Sequence, residues 1–320
     1  AGGLIAKFTR PDPPPAPPPP VPPVPPIPPP PPPWTPKNWS AVPDAGEETV
    51  RDGRALHKRL TRTVGDENLV AVLIPPSQDD DPPPFYMLQN KVTNHVFERA
   101  WVAAEADPAS RLSVFRQSLS WDEEKAYLPG KWAQHPGAWF PGATRPGWFG
   151  GVTERRFDST PVLGVTAVEA ILVAEQLGGH LPTYAQWLKA VGMNDRGDSS
   201  GPAGSEEGPD EDVTRRPLAL GVPIEDGPWP VVLWTADRSR YDIHQLVTNG
   251  YEWTDEVITG GRVNLNVRPA DGYPLRLTGQ SYAEGGSVMT FARISRSNQA
   301  ADWVNTQEKV GFRVVLTPPR

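Results

Sequence analysis

Glu252 stands as a single carboxylate between Tyr251 and Trp253, just after the pair Asn249-Gly250. Asn-Gly is a strong turn signal, because both residues tolerate positive φ. A lone glutamate flanked by large rings is either an exposed strand residue or a carboxylate with a partner, and the local sequence leaves both open. Other reactive groupings are missing. The chain has no Cys, which excludes disulfides, thiolate metal sites and thiol catalysis without identifying a redox compartment. The histidines, at positions 57, 95, 135, 180 and 244, are scattered, and each alone reads more readily as a surface or hydrogen-bonded residue than as a ligand. No Gly-x-Ser-x-Gly elbow and no glycine-rich phosphate loop is present.

The elements that must position such residues begin after a long proline tract. Of 320 residues 42 are Pro, and residues 11–33 are proline broken only by Asp12, Ala16, Val21, Val24 and Ile27. Proline lacks the N–H and fixes φ, so this run predicts extended polyproline II, at about 3.1 Å per residue roughly 70 Å long. It reads as a spacer to an upstream domain or anchor, and its Pro-Pro-Val-Pro-Pro pattern also suits proline-recognising domains. The expected organisation is a proline-rich linker over 1–36, a connecting segment over 37–68 and one large domain over 69–320. The chain opens at Ala1-Gly2-Gly3 without Met, as a processed product or fragment would.

Leu56 and Leu60, four apart, predict a helix over 47–62. Leu69–Ile74 and Phe85–Leu88 read as strands. Thr93 and Asn94 cap a helix carrying Val96, Phe97, Ala100 and Trp101. Thr166 opens a second helix to Leu177, with Glu169 completing a capping box and Gly178-Gly179 ending it. A third runs from Thr183 to Ala190 and stops at Gly192. Residues 194–216 read as a surface loop, and Gly311–Leu316 as a closing strand. The fold class is α+β with little regular structure. The net charge of −7 argues against a nucleic-acid partner, and no apolar run reaches the roughly 18 residues that insertion in a membrane requires.

Several separated segments then agree with one family. Phe85-Tyr86-Met87, Val92-Thr93-Asn94 and Phe97 resemble the opening of the formylglycine-generating enzyme (sulfatase-modifying factor) family. Pro161-Val162, the helix after Thr166, Leu181-Pro182-Thr183 and Trp187 are similar to its central block. Asn249-Gly250-Tyr251-Glu252-Trp253 resembles its Gly-Asn-x-x-Glu-Trp motif, Thr278-Gly279-Gln280-Ser281 stands where Arg-Gly-Gly-Ser normally lies, and Gly311-Phe312-Arg313 matches its close. Order and spacing agree over about residues 69 to 317.

The resemblance implies a C-type-lectin-like fold and, at the opening stretch, a structural Ca²⁺ held by the side chains of Glu252 and Gln245 and the carbonyls of Thr248 and Gly250. Calcium accepts such mixed oxygen ligands. Gln245 replaces a usual Asn or Asp and Thr248 a usual Gly, which weakens a hard-cation site. The alternative is that Glu252 accepts backbone N–H groups and fixes the loop without metal. The family's oxidation of a substrate cysteine uses copper on two cysteines, absent here, so no copper is expected. Nor is iron, since the His-x-x-x-His-x-Glu triad of related sulfoxide synthases is missing.

The resemblance therefore implies a non-catalytic ligand-recognition module, either the variable binding protein of a diversity-generating retroelement or the sensor part of a signalling protein. A family oxidoreductase with unrecognised chemistry is the alternative. In the variable proteins the binding residues precede the closing Gly-Phe-Arg. Here that stretch is 287–309, SVMTFARISRSNQAADWVNTQEK, with Arg293, Arg296, Asn298, Trp303 and Asn305 as candidate ligand-binding residues. The expected ligand is a protein or a carbohydrate, and the cell surface or extracellular side is favoured. Trp132, Trp139 and Trp148 lie in a Pro/Gly-rich segment that reads as core filling or as a carbohydrate platform.

Overall fold

The run Leu69–Ile74 has no polar face, and a strand tolerates that only where both its sides are covered. The computed structural model describes residues 33–50, 52–128, 158–192, 231, 238–246, 249–258, 261–263, 265, 274–280, 300–302 and 310–319. In chain order the first elements are β1 (Ser40–Ala41), β2 (Glu47–Thr49), β3 (Ala55–His57), β4 (Arg59–Val64), β5 (Glu67–Ile74) and β6 (Phe85–Leu88). Among the described residues five helices follow, α1 (Asn94–Ala106), α2 (Arg111–Gln117), α3 (Trp121–Tyr127), α4 (Ala167–Gln176) and α5 (Tyr184–Val191). The last strands are β7 (Gly250–Val257), β8 (Pro274–Gln280), β9 (Ala300–Asp302), β10 (Val310–Gly311) and β11 (Val315–Leu316). They form a five-stranded sheet in the order β1-β4-β5-β6-β11, a four-stranded sheet β10-β7-β8-β9 and the hairpin β2-β3. Every pairing is antiparallel except β10 with β7.

Strand alternation sorts the larger sheet's side chains into two cores. Leu69, Ala71 and Leu73 of β5, with Tyr86 and Leu88 of β6, join the main core, which also takes buried faces of α1, α2 and α4. Val72 and Ile74 of β5, with Phe85 and Met87 of β6, join a second core with Trp187, Ala190 and Val191 of α5 and with Ile243 and Leu246. Thr93, Ser110, Ser120, Thr166 and Thr183 each cap the helix that follows, and capping boxes close on Ser120, Thr166 and Thr183. No helix among the described residues is long and apolar enough to cross a membrane.

Three findings depart from the sequence reading. Residues 47–62 form β2, β3 and part of β4 rather than a helix: Leu56 and Leu60 are both buried, but they sit on separate strands beyond the turn at Gly53. The four-residue spacing that suggested a helix is also two strand periods. Secondly, α2 and α3 stand where no element was expected, although Ser120 and Glu123 carry an S-x-x-E signature. Thirdly, the closing strand is two strands on different sheets, β10 beside β7 and β11 beside β6. The break follows Gly311, where a Cβ would lie 2.4 Å from the Val162 carbonyl oxygen, so the backbone passes too closely for any side chain. Trp34, inside the stretch expected as linker, packs against the main core with its ring 6.0 Å from that of Tyr86.

The loop after β5 is anchored on α5 by a buried ion pair. Lys189 Nζ donates to Asp81 Oδ2 at 2.7 Å and also to Ser77 Oγ, while Asp81 accepts the Ser77 and Gln78 N–H groups at 2.7 and 2.8 Å. Burial raises the Asp81 carboxyl, but the bonds from Lys189, Ser77 and Gln78 outweigh it and hold the group below its ordinary value. A carboxylate depressed in this way contributes stability that is present above its unfolded pKa and lost as pH falls through the folded one. Asp81→Asn, which removes the charged half of this buried pair, should lower stability by on the order of 3–5 kcal/mol at neutral pH. Thermal unfolding against pH should show the gap between wild type and variant narrowing as pH falls below about 4, where unfolded Asp81 protonates, and closing only below the lower folded value.

Candidate functional site

The family-like segments, far apart in the chain, are joined through their backbones. Val92 N–H donates to Phe312 O at 3.1 Å, Val162 N–H to Val92 O at 2.9 Å and Gly164 N–H to Val310 O at 3.1 Å. His180 and Val315 exchange both backbone bonds, and Asp255 N–H donates to Pro182 O at 3.0 Å. The side chains agree: Asn94 Nδ2 donates to Thr160 Oγ1 at 2.9 Å, and Trp253 Nε1 to Val165 O at 3.0 Å. These segments meet as a frame, and Glu252 lies within it.

Glu252 is fully buried on β7, opposite Gly311 of β10 and Thr278 of β8. Two cations hold its carboxylate. Arg313 donates from Nη2 to Oε1 at 3.0 Å and from Nε to Oε2 at 3.3 Å, while Lys91 Nζ donates to Oε1 and, at 3.1 Å, to Gly250 O. Arg313 also donates from Nη1 to Leu88 O at 3.0 Å and Gln89 O at 2.8 Å, and from Nη2 to His244 O at 2.7 Å. All five guanidinium N–H donors are thus placed. Burial pushes the Glu252 carboxyl up, but the charges of Arg313 and Lys91, with their hydrogen bonds, more than offset it and hold the group below its ordinary value. Glu252 is therefore the partnered carboxylate of the two sequence readings, and its partners are side-chain cations.

The neighbouring turn is similarly occupied. Asn249 and Gly250 both have positive φ, +65° and +105°, as their types predict. Asn249 Nδ2 donates to Gln245 Oε1 at 2.7 Å, and Gln245 Nε2 to Val231 O at 3.3 Å. Of the four expected calcium ligands, Glu252 and Gly250 are engaged by Lys91, Gln245 by Asn249, and Thr248 lies outside the described residues. A divalent ion at Glu252 would also face two cations on that same carboxylate. Unit charges about 4 Å apart repel by about 4 kcal/mol at an effective dielectric of 20, and about twice that when one charge is double. One carboxylate does not offset two such terms. These residues, so arranged, do not fit calcium.

Arg293, Arg296, Asn298, Trp303 and Asn305 lie outside the described residues, as do Trp132, Trp139, Trp148 and the loop 194–216. The described histidines have separate partners: His57 beside Glu47, His95 beside Asp66, His180 with Leu181 O and Thr317, and His244 with Asp242. Among the described residues no three His, Asp or Glu side chains gather as metal ligands. Sequence reasoning missed Lys91, which adjoins Val92-Thr93-Asn94 but carries no local mark of burial. It quoted Arg313 within Gly-Phe-Arg without assigning its partner.

The family profile described as "Sulfatase-modifying factor enzyme 1-like domain" matches residues 45–318. Among solved structures, Treponema denticola variable protein 1 is similar at 14% identity and a TM-score of 0.43, covering 81% of this chain and 98% of its own. PvdO from Pseudomonas aeruginosa is similar at 13% identity and a TM-score of 0.39, covering 88% and 98%. CarF is similar at 15% identity and a TM-score of 0.40, covering 74% and 88%. The search of curated proteins gives no match.

Arg313 is the member of the Glu252 cluster that reaches most acceptors, and lysine does not reproduce a planar five-donor fork. Arg313→Lys should leave buried carbonyls such as His244 O short of donors, while Gln89 O keeps the His244 N–H, at about 1–3 kcal/mol for each group left unsatisfied. Denaturant unfolding should show a lowered midpoint with an unchanged slope.

Proposed function

This chain belongs to the family of the sulfatase-modifying factor enzyme 1-like domain, with its C-type-lectin-like α+β fold, and we propose that it is a non-catalytic ligand-recognition module carried on a proline-rich spacer. The observation that carries this reading is the complete lack of cysteine in a chain that keeps the family's frame residues. Oxidation of a substrate cysteine on Cu(I) needs soft thiolate ligands, and neither Ser nor Thr replaces them. Function belongs to the site and not to the fold, so the family's activity does not pass to this chain with its frame. The partners of Glu252 support the same reading, because they are spent on joining strands and loops rather than offered to a substrate.

The recognition surface, on this proposal, is the stretch 287–309, in the manner of the variable proteins of diversity-generating retroelements. Its Arg, Asn, Ser and Trp content suits adaptable contacts, with Arg293, Arg296, Asn298, Trp303 and Asn305 as the contacting residues. The ligand is a protein or carbohydrate reached through polar and aromatic contacts.

Two measurements test this. Supplied with copper, oxygen and a cysteine-containing peptide, the protein should leave the peptide thiol intact by mass spectrometry; turnover would establish the oxidoreductase instead. Replacing Arg293, Arg296, Asn298, Trp303 and Asn305 together by Ala should abolish retention of ligands from glycan and protein arrays. It should shift stability by no more than about 0.5 kcal/mol per site, as at surface positions. Large destabilisation with binding retained would make the stretch structural and remove the site.

A further inference from the structure

The Glu252 turn contains a group in the position of a bound cation. Lys91 Nζ touches Gly250 O at 3.1 Å and Glu252 Oε1, which are the main-chain and carboxylate oxygens a metal ion would take from this turn. Its side chain is 0% exposed, as are those of Glu252 and Arg313. Lys91 reaches the turn from the segment between β6 and α1, separated from its two partners by 159 and 161 residues.

We propose that the Lys91 ammonium is the built-in cation of this turn, replacing a divalent ion, so that the Asn249–Glu252 segment is ordered without calcium. The surroundings supply acceptors for both cations. One carboxylate faces an ammonium and a guanidinium, and the carbonyls of Leu88, Gln89, His244 and Gly250 supply the remaining acceptors. Adding a doubly charged ion to that set would require expelling Lys91 from a site with which it is hydrogen bonded. A covalently attached cation also has an advantage that a free ion lacks: its occupancy does not depend on ion concentration. The inference stands apart from the recognition reading, since it concerns how the frame is held, whatever the loops bind.

The test uses the full chain. Thermal unfolding in millimolar CaCl2 and in excess EGTA should superimpose. An upward, saturable shift with calcium that Glu252→Gln abolishes would overturn the proposal. Glu252→Gln should lower the midpoint by on the order of 10 °C, the loss of one partner of a buried pair in a chain of this size, and equally in both buffers. Lys91→Ala should also lower the midpoint, and propylammonium chloride should restore part of the loss where equal NaCl or n-propanol does not. A Lys91→Ala protein as stable as wild type, or one no better rescued by the ammonium than by the alcohol, would equally overturn it. If Lys91→Ala does not fold, Lys91→Met keeps the apolar stem and isolates the charge. It should then be less stable than wild type in both buffers, and wild-type stability in Lys91→Met would sink the idea.

Discussion

A carboxylate that has left water must be matched at the place where it is buried, and in this protein that constraint falls on Glu252. Moving ions from water to a protein interior costs several kcal/mol each even after relaxation, and their attraction offsets this only where the remaining donors and acceptors are also satisfied. Arg313 meets that condition through five hydrogen bonds, and Lys91 adds a second cation and the Gly250 carbonyl. The partners come from the end of β6, the 238–246 segment, β7 and the link between β10 and β11. Satisfying one buried charge therefore fixes the relative placement of the two larger sheets. The same loop is tied from outside by Asp242, which accepts from Arg59 at 2.8 Å and Gln89 at 2.7 Å.

The cores complete this arrangement. With both faces of the β5-β6 pair covered, neither face is left for a ligand, and on the proposed reading binding would fall to segments that leave the sheets. A well-supported frame suits the proposed recognition role, because such a frame can tolerate change in the segments it carries. Val92-Thr93-Asn94, Pro161-Val162 and Gly311-Phe312-Arg313 contact one another through backbone groups and buried side chains, and their identity serves the frame.

How much of this could be read in advance depends on the range of the interaction concerned. The helix starts at Thr93, Thr166 and Thr183 were readable because a capping hydroxyl and its N–H lie three residues apart. The Asn249-Gly250 turn was readable for the same reason, since positive φ is a property of the residues that adopt it. The family-like segments gave the fold through their order, without showing which of them touch. Residues 47–62 failed because two leucines four apart satisfy a helix and a pair of short strands equally well, and only packing distinguishes them.

The sequence by itself determined the local geometry of the caps and turns, the apolar runs that must be covered, and, through the absence of cysteine, the chemistry this chain cannot perform. Only the tertiary structure showed what Glu252 touches. A carboxylate after an Asn-Gly turn offers the same oxygens to a calcium ion, a row of N–H groups or a lysine. The groups that meet it in this structure are Lys91 and Arg313, 161 and 61 residues away, and nothing local to either residue marks it as buried. Electrostatic pairing in the interior acts across space, so which side chains meet this carboxylate depends on what the folded sheets bring to it.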